Sequence, residues 1–255
     1  MVTLPMLLYS LLSIIVIQVV FFIFAALFKT DKVTDLSYGL TFPATVLLLL
    51  VFGGNYGTVN IILFCMILLW GFRLGIFLFV RVLVTKRDRR FDGVRENFKR
   101  FLTFWTLQAA TIFVVLLPAT FMLEKNTLFN PLQGIGIFIF LGGFVVETIA
   151  DFQKFTFKNN PTNHDKFINT GLWKYARHPN YFGEMLVWCG VFLYTLPTLS
   201  GYEFISIVSP LYIWFLLRYV SGVPPLEKRY SKIYKDNRSY QDYKKSTRLL
   251  VPLPK

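Results

Sequence analysis

An all-α, polytopic membrane bundle of about seven transmembrane helices is the fold this sequence predicts, and three observations predict it. Hydrophobic residues make up 55% of the 255-residue chain and charged residues only 16%, where a soluble domain carries about 25% charged residues. The apolar residues gather into runs near the ~20 residues that cross a bilayer. The basic residues between those runs fall almost wholly into alternate gaps, as membrane topology requires.

The runs cover roughly 6–28, 36–53, 59–83, 101–123, 132–153, 180–197 and 203–220. Ahead of the first, Met1 to Pro5 (MVTLP) carries no basic n-region, so this run is expected to be a retained span and not a signal peptide. The second and sixth are short. Arg73 and Arg81 interrupt the third: Arg81 is placed to snorkel to the interface, whereas Arg73 lies deeper and needs a partner. No Gly/Ser linker, low-complexity tract or repeat divides the chain, so residues 1–255 are expected to form a single integral membrane domain.

The net charge of +13 is a footprint that nucleic-acid binders also show, and its distribution excludes that reading. With an external N-terminus, the cytosolic segments hold 23 Lys/Arg: 2 in 29–35, 7 in 84–100, 5 in 154–179 and 9 in 221–255. The external segments hold one, Lys125. This split predicts a cytosolic C-terminus. The loop 84–100 is expected to be charged, with room for a short interfacial helix. Pro224 and Pro225 are expected to break the last helix. The basic tail beyond them, interleaved with Tyr230, Tyr234, Tyr240 and Tyr243, reads either as a helix lying on anionic headgroups or as a cover over a polar pocket. Cys65 and Cys189 lie in apolar runs, and two His with no paired Cys give no metal-ligand spacing.

The chemistry concentrates in Gly171 to Glu184 (GLWKYARHPNYFGE). Pro179 suits the first position of a helix, which sets Lys174, Arg177 and His178 just ahead of a helix N-terminus. Free N–H groups, the helix dipole and these cations together favour an anion. Asn180 and Glu184 share one face about a turn inside the membrane, where ionisable residues are expensive and point to function. Glu147 and Asp151, also four apart, lie near the cytosolic end of the fifth span, and Arg218 near that of the seventh. The bland alternative is a salt-bridge network, Glu184 with Arg218 for example, that holds helices together.

This run closely resembles the signature of steroid 5α-reductase-like membrane proteins, a superfamily that also holds sterol reductases and isoprenylcysteine carboxyl methyltransferases. Asp35 to Gly39 (DLSYG), Lys86 to Phe91 (KRDRRF), Glu147 to Asp151 (ETIAD) and Ser221 to Glu227 (SGVPPLE) extend the likeness over roughly 35–254, with the reductase-like C-terminal region at about 100–255. The resemblance is closest to a branch that shares the steroid reductase C-terminal domain. It implies NADPH bound beside a lipid-accessible cavity. On the resemblance, Asn180 and Glu184 lie by the nicotinamide and substrate. Glu147, Asp151, Lys158, Tyr175 and Arg218 then follow the dinucleotide, with Lys174, Arg177 and His178 adding cationic or polar contacts. Glu147 stands where the steroid enzymes carry an amide. The substrate tyrosines expected near Trp70 to Phe77, and an N-terminal Gln-Glu pair, are not evident.

The expected function is therefore NADPH-dependent reduction of a double bond in a hydrophobic lipid, steroid, sterol or enoyl-type, with Glu184 or Tyr181 polarising the substrate or delivering the proton. The alternatives are S-adenosylmethionine-dependent methylation of a prenylcysteine-like carboxylate, whose acid the arginines would hold, and non-catalytic lipid binding. Besides membrane lipids, the expected partner is a lipid-like small molecule. The endoplasmic reticulum membrane in a eukaryote, or the plasma membrane in a bacterium, is the expected location.

Overall fold

The structure, a computed structural model, describes residues 4–85 and 91–253. Among these residues the chain is helical, with short 3₁₀ turns and one isolated β-bridge. Five helices are each long and apolar enough to cross a membrane: α1 (Leu4–Leu27), α2 (Thr34–Gly53), α3 (Thr58–Thr85), α4 (Phe98–Leu123) and α5 (Pro131–Asn159). A sixth such stretch, Gly201–Ile233, is composite. It runs through a 3₁₀ segment (Gly201–Ile207), α7 (Val208–Phe215), a π-helical turn (Leu216–Val220) and α8 (Val223–Ile233). The predicted sixth run forms α6 (Pro179–Thr195), whose 17 residues sit at the short limit of a span, about 17 residues. The last helix is α9 (Arg238–Ser246).

One sequence expectation changes. The prolines at 224 and 225 do not end a helix. The break falls at Ser221 and Gly222, and the prolines occupy the first turn of α8, where missing N–H groups cost nothing. In the charged loop, α3 continues to Thr85, a run of turns follows Phe91, and α4 starts at Phe98, with Asn97 Oδ1 accepting from the Arg100 N–H at 3.1 Å. The short interfacial helix expected in this loop falls largely on Lys86 to Arg90, which lie outside the described residues.

The described residues separate into two compact units. One gathers Met1–Gln133 with Tyr194–Ser209, the other Gly134–Leu193 with Pro210–Lys255. In the first, α2 and α3 meet backbone to backbone: a Cβ on Gly39 would lie 2.6 Å from Gly75 Cα. Buried side chains bind α1, α2 and α4 together. Gln108 Nε2 donates to Gln18 Oε1 (2.9 Å) and Ser37 Oγ (3.1 Å), and Gln18 Nε2 to Thr41 Oγ1 (2.7 Å). With no water available, such amides and hydroxyls must satisfy one another. Arg81 reaches Asp35 at 3.2 Å, and Arg73 lies over the Phe77 ring. Lys125 pairs with the buried Glu203, which also closes a capping box with Ser200.

In the second unit, glycines set the spacing of α5 and α6. A Cβ on Gly143 would lie 2.6 Å from Gly183 O, one on Gly183 2.5 Å from Glu147 N, and one on Gly190 2.5 Å from Phe140 N. These contacts exclude any side chain at the crossing and bring the two backbones to touching distance, the usual function of small residues between membrane helices. That approach brings Asn180 of α6 within hydrogen-bond distance of Asp151 of α5.

Candidate functional site

Because Gly183 packs on the Glu147 backbone, the first turn of α6 meets the second half of α5. There Asn180 Nδ2 donates to Asp151 Oδ1 at 3.1 Å. Asp151 and Glu147 are both buried, 9% and 2% exposed. The other end of the Asn180 amide, Oδ1, is buried with no hydrogen-bond partner among the described residues. Sequence spacing foresaw both i,i+4 pairs, and the structure joins one member of each.

The loop that leads into α6 is built onto the end of α5. Gly171 adopts φ +59° with its α-carbon against the Gln153 amide, a backbone that glycine tolerates without strain. Gln153 Oε1 accepts from the Leu172 N–H (3.0 Å), and Trp173 Nε1 donates to Ala150 O (3.0 Å). A 3₁₀ turn, Gly171–Lys174, follows, and Pro179 then opens α6 as its spacing predicted. Lys154 places its ammonium 4.6 Å from the Trp173 ring centroid, within cation–π range.

Arg177 and His178 turn toward the tail. Arg177 Nη1 meets Glu227 Oε2 at 2.7 Å, and His178 Nε2 meets Glu227 Oε1 at 3.0 Å. Lys244 Nζ stands 3.4 Å from the same carboxylate. Flanked by two cations, Glu227 is an acceptor, so His178 carries its proton on Nε2. Its Nδ1 is then a lone pair, and it is buried with no hydrogen-bond partner among the described residues. Burial, at 1% exposure, drives the His178 pKa below its ordinary value; the Glu227 bond opposes this and the Lys154 charge adds to it. The imidazole is neutral at pH 7. Its ring stacks on Tyr181, centroids 5.6 Å apart at 11°.

The tail covers this loop. The Arg177 N–H donates to Arg248 O (2.9 Å) and the His178 N–H to Leu249 O (3.0 Å), beside the bridge between Ala176 and Arg248. Tyr243 Oη donates to Trp173 O at 2.6 Å. Phe167 receives the rings of Tyr234, Tyr240 and Tyr243 at 5.2 to 5.6 Å. Burial raises the phenol of Tyr240 to about 12 and that of Tyr243 higher still, so both remain protonated. Between tail and loop lies a cavity of about 20 Å³, walled by Lys158, Trp173 and Arg177 on one side and Glu227, Tyr240 and Tyr243 on the other.

The remaining predicted residues are more dispersed. Lys158 Nζ donates to Lys166 O (2.9 Å), Lys174 leans on the exposed Tyr175 ring, and Arg218 lies over Tyr219 within the π-helical turn. Glu184 is half-buried on α6, one turn beyond Asn180. Sequence reasoning missed Lys154, Lys244 and above all Glu227. The available signal was charge: Glu227 is one of three acids among nine Lys/Arg in 221–255, close behind a double proline.

The chain matches, over residues 21–247, the family described as "Protein of unknown function (DUF1295)". A curated relative, the probable O-methyltransferase ustE of Ustilaginoidea virens, is 42% identical over 56 residues. That match covers 22% of this chain and only 20% of the relative's length. No solved structure matches.

Proposed function

The chain belongs to the DUF1295 family, of steroid 5α-reductase-like and methyltransferase type, and from that premise we propose that it is an integral-membrane reductase using NADPH on a double bond in a hydrophobic lipid. The observation that carries this reading is the Asn180 amide, which donates through Nδ2 to Asp151 and holds Oδ1 buried without a hydrogen-bond partner among the described residues. A buried acceptor left unmatched costs about 1–3 kcal/mol. The position therefore suits a ligand that donates a hydrogen bond, as the carboxamide of nicotinamide does. The carboxylates of Glu147 and Asp151 offer further acceptors, while Lys154, Lys158, Lys174, Arg177 and Arg218 supply positive charge for phosphates.

NADPH, when bound, would supply the hydride. Asn180 would orient the nicotinamide. Glu184 or Tyr181, on the same helix, would polarise the substrate or give the proton to the second carbon of the double bond. The lipid would come from the membrane itself, in the endoplasmic reticulum of a eukaryote or the plasma membrane of a bacterium.

A second reading, methyl transfer from S-adenosylmethionine, is favoured by the likeness to the probable O-methyltransferase. The buried carboxylates of α5 would then face the ammonium of that cofactor. Titration of detergent-purified protein with NADPH, NADH and S-adenosylmethionine decides between them. We expect NADPH to bind about tenfold more tightly than NADH, since its extra phosphate adds a charge-assisted bond. Preference for S-adenosylmethionine installs the second reading, and folded protein that binds none of the three refutes both.

A further inference from the structure

We propose that α8, α9 and residues 247–250 form a lid over the cavity beside Arg177, and that Glu227 is its latch, an internal anion that an incoming ligand's anionic group must displace. The inference rests on the cofactor reading above for the identity of the ligand, but the lid itself is argued from geometry.

The cavity is small, at about 20 Å³, close to what a single ordered water needs. Part of its wall belongs to the tail, through Glu227, Tyr230, Tyr240 and Tyr243, and the rest to α5 and the loop, Lys158, Trp173 and Arg177 among them. A ligand the size of a dinucleotide therefore enters only if the two halves separate. Among the described residues, ties across the seam include the Glu227 contacts to Arg177 and His178, the two main-chain bonds to Arg248 and Leu249, the bond from Tyr243 to Trp173 O, and the packing of Phe167 on Tyr234, Tyr240 and Tyr243. The helix breaks at the tail's root, at Ser221 and Gly222. The chain leaves α7 through a π-helical turn, Leu216–Val220, and Gly222 then passes so near Leu217 O that a Cβ would lie 2.5 Å away. Single π-helical turns recur at functional sites.

Charge gives the latch its logic. Arg177 and Lys158 are the cations in the cavity wall, and Glu227 already holds Arg177 at 2.7 Å. A phosphate or carboxylate brought to Arg177 would face Glu227 at close range, and like charges there repel strongly. The carboxylate must leave, and with it α8. Arg177 exchanges one anion for another, so closure over the ligand costs no unpaired guanidinium. The shared chemistry is an anionic oxygen group, the phosphate of NADPH or the carboxylate of S-adenosylmethionine.

Three measurements on the full chain in detergent test this. In Glu227→Gln, which keeps the shape and removes the competing charge, NADPH or S-adenosylmethionine should bind about tenfold more tightly, the scale of one charge-assisted bond. Weaker binding by folded protein would make Glu227 a part of the ligand site and overturn the latch. Second, a disulfide between Ala176→Cys and Arg248→Cys, made after Cys65→Ser and Cys189→Ala, should slow association at least about tenfold, with dithiothreitol restoring it; bridged residues lie within disulfide reach. Unchanged association across the closed disulfide would sink the lid. Third, amide exchange at Arg177 and His178 should quicken about tenfold in Glu227→Gln without any ligand. If no cofactor binds even the wild type, the cofactor reading fails, while this exchange still decides the latch: equal rates reject it.

Discussion

Asn180 and Glu184 lie one turn apart on α6, and the proposed chemistry assigns them different tasks. Asn180 is committed to Asp151 through its donor and holds an acceptor in reserve. Asn180→Ala is expected to weaken NADPH binding about tenfold, the value of one such bond. Glu184→Gln keeps the shape and most hydrogen bonds but removes the charge or the proton. Its melting temperature should stay near that of the wild type while turnover falls ~10²-fold or more, as for a general acid. A sharp loss of apo stability with normal turnover would instead mark a structural ion pair, whose broken half strands a buried charge. His178 gives a pH test. Its pKa lies lower in the folded state than the unfolded value of 6.5, so the unfolded chain binds the proton first. Its contribution is complete above about pH 6.5 and is lost as pH falls toward the folded pKa, by at most about 1.4 kcal/mol per pH unit. Melting curves between pH 7.5 and 5 should show this slope, and His178→Gln should flatten it. The motif from Gly171 to Glu184 was legible because its chemistry is contiguous. Glu227 was not, since it meets Arg177 and His178 only through a fold that brings residues about fifty positions apart together.

At the scale of elements, most helices were legible from hydropathy alone, and their ends from local chemistry: Pro179 opens α6 and Gly54 closes α2 in the left-handed region. The π-helical turn at Leu216–Val220 was not legible. An insertion of this kind leaves the apolar composition unchanged and alters only the register. Nor did the sequence reveal which glycines sit at a helix crossing, because period and polarity are the same for a glycine that faces lipid. Gly142 and Gly143 are neighbours, yet a Cβ on Gly142 meets nothing within 4 Å while one on Gly143 strikes Gly183. This contrast supplies a matched pair. Gly183→Ala pushes a methyl into the Glu147 backbone and is expected to cost about 1–3 kcal/mol, the range for overpacking. It should also weaken cofactor binding, because α5 carries Asp151 away from Asn180. Gly142→Ala, with open space around it, should leave binding unchanged and stability equal or raised by up to about 1 kcal/mol. Thermal melts and NADPH titration of the two variants check both halves. Equal behaviour of the pair would show that the close approach of α5 and α6 does not position the site.

For the whole molecule, composition established membrane insertion, since 55% hydrophobic residues in runs of spanning length have no soluble use on this scale. The division of the chain into two compact units was beyond the reach of composition, because no linker marks it: the chain passes between them inside α5, α6 and α7. Orientation is argued from charge. The two sets of connecting segments hold 23 and one Lys/Arg, and the single exception, Lys125, is neutralised by Glu203 and so brings no free charge to its side. Moving basic residues across a membrane potential is unfavourable, which keeps such segments cytosolic. The connector after α4 is thus predicted to be external and the tail cytosolic. Asn126 is exposed and suits a cysteine label. On the tail, Asn237 caps α9 by accepting from the Tyr240 N–H at 3.0 Å, so the exposed Asp236 is the better position. In a background of Cys65→Ser and Cys189→Ala, Asn126→Cys should react with an impermeant maleimide applied outside intact cells. Asp236→Cys should react only after the membrane is opened. Labelling of both from one face would require an even number of spans between them and remove the charge argument for the tail's location, and with it access of the proposed site to cytosolic NADPH.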